Sequence, residues 1–409
     1  MKKFSFKAMA AGIVALLSFV TFEVSAQCIL DENTGGYITA DGRPCTNSVV
    51  SAVPFLRIVA DARSGAMGDA GIAISPDANS MQFNDSNLAF SEKDFEMSAT
   101  YTPWMRALGL QDVYLAYLSG YKKIDKLQTV GVSLRYFSLG SIGFTDPNGE
   151  PLGTGRPNEF EVKGTYARQL TDKFSAAIGG KFIYSNLAAG QIVNGEEIKP
   201  GIAGAADISF TYKTELDLGS SNADLVIGAA VTNLGSKITY TNDVTKDYLP
   251  ANLGIGTALT LNLDEYNKIT FAADVNKLLV PTPIIAADPN YDTDNDGIAD
   301  YRQLAPVSAV FTSFGDAPGG FSEELQELMF SFGAEYWYDD QFALRAGYFH
   351  ESANKGNRKY FTVGLGLKYN VFGLNLSYLV PTTNQRNPLD NTLRFSLLFD
   401  FGGYQDGVE

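Results

Sequence analysis

The last apolar segment of the chain, residues 392–401, alternates between large apolar and polar side chains. One set of alternate positions holds Leu393, Phe395, Leu397, Phe399 and Phe401, and the other holds Arg394, Ser396 and Asp400. A period of two places these sets on opposite faces of a β-strand, as a transmembrane strand between lipid and a polar lumen requires. A soluble sandwich strand can show the same alternation, so the interpretation depends on the rest of the chain.

Strand-like segments of similar length fill most of the chain after residue 92. The predicted strands are residues 93–104, 112–123, 128–140, 158–170, 174–187, 201–216, 223–235, 249–263, 266–281, 328–339, 342–351, 358–370, 372–381 and 392–402. Many of them reach the roughly 9–11 residues that a tilted spanning strand needs, and their number is even, as in single-chain bacterial barrels. The sequence therefore predicts an all-β fold, a 14-stranded antiparallel transmembrane β-barrel of the outer membrane.

The connections between these strands alternate in length. Tight turns follow the second, fourth, eighth, tenth and twelfth strands, and longer loops follow the odd-numbered ones. Outer-membrane barrels combine short periplasmic turns with longer extracellular loops. We therefore expect both chain ends on the periplasmic side and the longest loop, residues 282–327, on the extracellular side.

Composition and charge agree with a barrel. The 409 residues include 40 glycines, 27 phenylalanines and 21 tyrosines, yet the mean hydropathy is only −0.05. Alternation explains the low value, because apolar and polar positions average out along each strand. The formal net charge of −15 disfavours nucleic acid as a partner, whereas outer-membrane lipid and lipopolysaccharide are expected contacts.

The N-terminal residues predict export. Residues 1–26 combine three lysines, an apolar run and a small-residue cleavage site ending at Ala26, which is the pattern of a signal peptide. Gln27 stands where a lipoprotein would have a small residue before Cys28, and this disfavours lipidation. Since exported proteins oxidise paired cysteines, Cys28 and Cys45 are expected to form one disulfide.

Residues 54–90 are rich in small side chains, show no period and precede the first strand. They can be an irregular lead-in, or a segment packed inside the lumen. In the second interpretation Gly65, Gly68 and Gly71 let the backbone lie close to the barrel wall.

Two stretches of this segment carry a family resemblance. Residues 62–73 are A-R-S-G-A-M-G-D-A-G-I-A, and residues 77–84 are D-A-N-S-M-Q-F-N. With Asn-Leu-Ala at 87–89, they resemble the N-terminal hatch of FadL-like outer-membrane proteins and, more narrowly, the PorV family of the Bacteroidota type IX secretion system. The family usually has Asn-Pro-Ala after the aromatic residue, whereas in this chain Asn84 is followed by Asp85. The resemblance divides the chain into a signal peptide (1–26), an N-terminal extension with a luminal hatch (27–91), and the barrel (92–409).

The resemblance implies a non-enzymatic role in protein secretion. The barrel would bind the C-terminal domain of cargo emerging from the SprA/Sov translocon and pass it to the PorU/PorQ/PorZ attachment complex. A FadL-type transporter of hydrophobic small molecules is the first alternative, and an enzyme acting on lipid is the second. His350, the one histidine, has no Ser or Cys nucleophile motif beside it, which disfavours catalysis.

The longest loop contains an acidic repeat, D-T-D-N-D-G-I-A-D, at residues 292–300. Alternate carboxylates with Gly297 at the sharp turn resemble the first nine positions of a calcium loop, although Gln303 replaces the final bidentate acid. The alternative is a solvated acidic loop. A bound Ca²⁺ would be structural, and the candidate ligands are Asp292, Asp294, Asp296, the Ile298 carbonyl and Asp300.

Residues 321–328 of the same loop are predicted to form a short amphipathic helix. Ser322 is the expected N-cap, and acidic residues follow it in the first turn. The apolar side of this helix can be a docking surface or can be buried against the barrel rim.

Overall fold

A computed structural model describes residues 29–30, 37–38, 45, 47–145, 148–188, 190–193, 196–217, 222–241, 246–286, 288–382 and 392–401. The predicted signal peptide and Cys28 lie outside these residues.

Fourteen strands form one closed sheet in which each strand pairs antiparallel with the next. They are β1 Phe95–Pro103, β2 Val113–Lys123, β3 Gln128–Leu139, β4 Asn158–Thr171, β5 Phe174–Asn186, β6 Gly201–Asp217, β7 Asn222–Gly235, β8 Asn252–Asn262, β9 Asn267–Leu278, β10 Met329–Tyr338, β11 Phe342–His350, β12 Lys359–Tyr369, β13 Phe372–Pro381 and β14 Leu393–Asp400. The predicted fold class is confirmed.

The last strand closes the barrel on the first. Register pairs from Phe395 with Tyr101 to Asp400 with Glu96 join β14 to β1. Along β14 the predicted alternation holds, because Arg394 is buried in the lumen whereas Leu397 is exposed on the outer face. A closed sheet leaves no unpaired edge, which is the condition for crossing hydrocarbon with strands.

Several short elements are not part of the barrel sheet. The segment before β1 contains the 3₁₀ turns Pro54–Arg57, Ala78–Gln82 and Asp85–Phe90 and the helical turn α1, Ala62–Gly65. A further 3₁₀ turn, Arg106–Leu108, follows β1. Strand pairs Ile29–Leu30 with Tyr37–Ile38, Ile142–Thr145 with Pro151–Gly155, and Ile192–Val193 with Glu196–Glu197 form small hairpins. The loop after β9 contains α2 Asp300–Gln303, α3 Pro306–Thr312 and α4 Phe321–Gln326. None of the helices in the described residues is long and apolar enough to cross a membrane.

The predicted helix in the long loop is present, but its predicted cap is wrong. The helix α4 begins at Phe321, so the N-cap is Gly320 and no side chain caps it. Ser322 therefore lies inside the first turn. Glycine at this position adopts φ +66, which favours a residue without a Cβ.

The prediction that both chain ends lie on the same side is also wrong for the described residues. We call the end of the barrel with the tight turns the short-turn end and the opposite end the crown. Phe401 lies beside Phe95 at the short-turn end. The amide of Asn47, however, donates to the Asn354 carbonyl (2.9 Å), and that of Ala52 to Tyr248, both in crown loops. The segment before β1 crosses the lumen once, from the crown to the short-turn end.

Candidate functional site

Residues 54–91, which we call the plug, are hydrogen-bonded to lumen-facing side chains around the barrel. The Ala62 amide donates to Ser396 of β14 (2.8 Å), and the Gly68 amide to Thr362 of β12 (2.8 Å). On another side, Ser86 donates its amide to Ser209 of β6 (3.0 Å). One segment can reach all these strands only from inside the barrel, so the luminal interpretation of residues 54–90 is confirmed.

Two buried ion networks fix the plug to the wall. The Arg63 guanidinium binds both carboxylate oxygens of Glu335 on β10 (2.9 and 2.7 Å), and Arg345 of β11 donates to the same carboxylate (2.6 Å). Around the barrel, Lys163 of β4 bridges the plug residue Asp85 (2.8 Å) and Asp207 of β6 (2.6 Å). Buried charges are tolerated when they are paired in this way.

Glycines allow backbone-to-backbone contact between plug and wall. A Cβ on Gly68 would lie 2.5 Å from the Tyr348 nitrogen, and one on Gly347 would lie 2.0 Å from the Gly68 nitrogen. Gly254 and Gly256 of β8 face the plug residue Ile72. The proposed role of the plug glycines is confirmed at Gly68, where φ is +67.

The plug separates two luminal cavities. The crown cavity has a volume of about 970 Å³ and is lined on its apolar side by Val53, Trp104, Phe137, Leu139 and Leu187. The second cavity, of about 550 Å³, opens toward the short-turn end and has charged walls that include Glu96, Lys268 and Asp400. A large site with mainly apolar walls and few polar groups is the usual form of a binding pocket, which favours the crown cavity as the functional site.

Arginines supply the polar side of the crown cavity. Arg358 binds both carboxylate oxygens of Glu351 (2.8 Å each). Within the described part of the chain, Arg57 approaches that carboxylate only to 3.8 Å and donates to the Met329 sulfur (3.3 Å). Burial, together with the neighbouring Arg358, lowers the pKa of Arg57. Arg57 is thus one of two weakly paired guanidinium groups in this cavity, because Arg394 lies 3.9 Å from the carboxylate of Asp69.

The acidic loop brings together part of the predicted calcium set. Oxygens of Asp292, Asp294 and Asp300 lie within 4.8 Å of one another. Asp296 instead accepts from the amide of Gln303 (3.0 Å), which also donates to the Ile298 carbonyl (3.2 Å). The predicted turn glycine, Gly297, has φ +86.

The long loop is anchored by a second acidic group. Asp316 accepts from the backbone amide (3.2 Å) and the hydroxyl (3.0 Å) of Thr282. Burial raises the pKa of Asp316 to about 6. This contact holds the start of the loop against the segment that precedes α4.

The remaining predicted residues are His350 and the two cysteines. The ring Nδ1 of His350 lies 3.4 Å from the Tyr348 hydroxyl on the outer face of β11. Cys45 is buried, but its predicted partner Cys28 lies outside the described residues, so that disulfide stays a prediction.

Sequence reasoning missed the lumen-facing charged residues as anchors of the plug. Lys163, Asp207, Glu335 and Arg345 each occupy an inward position of a strand. The sequence did contain a signal for these anchors. Each is a charged residue at an inward position of a predicted spanning strand, as Arg394 is.

Fold and site together define a plugged transmembrane β-barrel with a ligand-sized cavity at its crown. The family model described as "Type IX secretion system protein PorV" matches residues 43–285, which is more than half of the chain. The chain therefore belongs to the PorV family, whose members are outer-membrane components of type IX secretion. No curated protein sequence matches it.

Solved structures with a similar chain path include hydrocarbon transporters. The Ralstonia pickettii toluene transporter TbuX is 12% identical, with 83% of this chain and 97% of that chain covered and a TM-score of 0.45. The Pseudomonas putida toluene transporter TodX is 12% identical, with 83% of this chain and 97% of that chain covered and a TM-score of 0.47. A Pseudomonas aeruginosa FadL homologue is 10% identical, with 87% of this chain and 100% of that chain covered and a TM-score of 0.43. At these identities and scores, the likeness supports no functional conclusion.

Proposed function

We propose that this barrel is a non-enzymatic cargo carrier of type IX secretion in a Bacteroidota outer membrane. It accepts the C-terminal domain of cargo leaving the SprA/Sov translocon and delivers it to the PorU/PorQ/PorZ attachment complex. Membership of the PorV family is the observation that supports this function.

The geometry is suited to a carrier. Because the plug is bonded to several strands inside the lumen, a folded partner would bind at the crown and would not pass through the barrel. The crown cavity combines apolar walls with the weakly paired Arg57, so it can receive a partner segment that presents apolar side chains and an anionic group.

Co-purification tests the carrier function. A tagged protein is isolated from native membranes, and its partners are identified by mass spectrometry. We expect the giant translocon barrel and secreted proteins that share a C-terminal domain. Leu187→Asp, at the rim of the crown cavity, should lower cargo recovery about tenfold, equivalent to about 1.4 kcal/mol of binding free energy.

Leu263→Asp is the matched control, since Leu263 is an exposed leucine just beyond a strand at the short-turn end. Equal cargo recovery from both variants would contradict recognition at the crown.

A transporter of hydrophobic small molecules is the second candidate function, favoured by the apolar walls of the crown cavity. A barrel that purifies alone with bound hydrocarbon, and that takes up a hydrophobic solute in liposomes, would support this candidate instead.

The acidic loop is proposed to bind a structural Ca²⁺. Asp292, Asp294 and Asp300 supply hard oxygens, and rotation of the Gln303 amide would present its carbonyl oxygen in place of its nitrogen. Such a site would order a loop whose carboxylates otherwise repel one another.

Calorimetric titration checks this site. We expect Ca²⁺ binding with a Kd of about 10⁻⁴–10⁻³ M, as for extracellular calcium modules. Asp294→Asn should abolish it, whereas Asp264→Asn, in an exposed turn at the other end, should not. The same binding heat in both variants would place the ion elsewhere.

A further inference from the structure

The long loop after β9 folds back over the outer face of the barrel. On β9, Asp274 points into the lumen, where it accepts from the plug amides of Gly71 and Ile72 (2.7 and 3.0 Å). Lys277, three residues later, therefore points outward. Its Nζ binds Glu324 (2.9 Å) and Glu327 (2.5 Å) of the α4 segment. Helix α4 thus lies against the outer wall near the crown.

The polarity of α4 is inverted relative to a helix on a water-facing surface. Glu324 and Glu327 are buried toward the wall, and Lys355 adds a further ion pair to Glu327 (3.0 Å). Phe321 and Leu325, in contrast, are 77% and 49% exposed. Water-facing helices direct charges outward and apolar residues inward, whereas charge inside and apolar outside suits contact with hydrocarbon.

An apolar groove of about 220 Å³ lies between this helix and the wall. Its floor is the outer face of β8 and β9, including Ile255 and Val275, and its other side includes Phe314, Phe321 and Leu325. Ile255 is itself half exposed, and Phe271 follows lower on the same outer face. The groove therefore continues the lipid-facing surface of the barrel, and its two charged lining residues, Lys277 and Glu324, are paired with each other.

Helix α3 extends the same surface. Val307 and Phe311, four residues apart on one side of this helix, are exposed, and so is Phe314 just after the helix ends. An exposed apolar patch of this kind marks a membrane or protein contact.

We infer that residues 306–328 lie within the bilayer leaflet at the crown and that the groove beside α4 holds a lipid acyl chain. The continuity with the lipid-facing wall and the inverted polarity of α4 select lipid as the occupant. This inference rests on the barrel and its loop, and it is independent of the proposed cargo function.

Fluorescence quenching tests the inference. The full-length protein is reconstituted into phospholipid vesicles with brominated acyl chains, and the signal of the unmodified protein is subtracted. Phe321→Trp should be quenched to the same extent as Phe271→Trp, which marks the lipid-facing wall. Val50→Trp, exposed beside the crown cavity, is the water-facing control. Quenching at Phe321→Trp no greater than at Val50→Trp would overturn the inference.

Native mass spectrometry tests occupancy of the groove. After release from vesicles, the Phe321→Ser, Leu325→Ser double variant should retain one phospholipid fewer than the unmodified protein. Ile202→Ser, an exposed outer-face change on β6, should retain the same number. An unchanged lipid count would overturn the groove as an acyl-chain site. Loss of the translocon from the double variant, while Phe321→Trp stays unquenched, would show that a protein covers this surface instead.

Discussion

Glu335→Ala is expected to lower the free energy of unfolding by about 3–5 kcal/mol, the usual cost of breaking a buried ion pair. The carboxylate of Glu335 is shared by Arg63 of the plug and Arg345 of the wall. Its removal leaves two guanidinium groups facing each other in the lumen. Urea titration of the protein in detergent micelles, followed by tryptophan fluorescence, measures the change.

An exposed glutamate in a short turn supplies the control. Glu265→Ala should change the free energy of unfolding by no more than about 0.5 kcal/mol. A loss below about 1 kcal/mol for Glu335→Ala would contradict the assigned anchor. The combined change Arg63→Met, Glu335→Leu and Arg345→Met should recover much of the loss, because apolar residues of similar volume can replace a buried ionic cluster. A triple variant as unstable as Glu335→Ala would attribute the effect to packing.

The strands were predictable because each alternates its side chains over a span long enough to reveal the period. Errors in their bounds concentrate where proline interrupts the sheet. The predicted strand 249–263 begins at Asn252, after Pro250, and the predicted strand 266–281 ends at Leu278, before Pro281. Proline has no N–H to donate to the neighbouring strand, so it ends the pairing. The alternation of side chains does not show this effect.

The direction of the plug could not be predicted in the same way. Its residues show no period, and its bonds to the wall join residues far apart in sequence, such as Arg63 and Glu335, which are 272 positions apart. The sequence indicates that small residues permit close approach, but it does not indicate which end of the lumen the segment enters. For the same reason, Asn47 lies in the crown against expectation.

The acidic loop shows how spacing determines only part of a site. Alternate aspartates predict convergent oxygens, and three of the four carboxylates do converge. Asp296 is drawn away because Gln303, the residue that departs from the calcium-loop pattern, donates to it. Gln303, which already departs from the calcium-loop pattern in the sequence, is thus the residue that makes the structure differ from the prediction.

Gly68→Ala is expected to displace the plug from the barrel wall. At φ +67, an alanine side chain costs about 1–2 kcal/mol from backbone conformation alone. Its Cβ would also lie 2.5 Å from the nitrogen of Tyr348 and 2.7 Å from the carbonyl oxygen of Phe332, and main-chain atoms of a closed barrel cannot rotate away. Overpacking of this kind adds about 1–3 kcal/mol. We expect lower stability in urea and faster leakage of small solutes from liposomes.

Gly109→Ala separates conformation from contact. Gly109 also has a positive φ, +84, but a Cβ there would meet no atom within 4 Å. It should therefore show only the backbone cost of about 1–2 kcal/mol and no leakage. If the two variants lose the same stability and neither leaks, the close approach of plug and wall does not hold the lumen closed. If only Gly68→Ala leaks, the seal depends on backbone contact at the wall, a contact that only residues without a side chain allow.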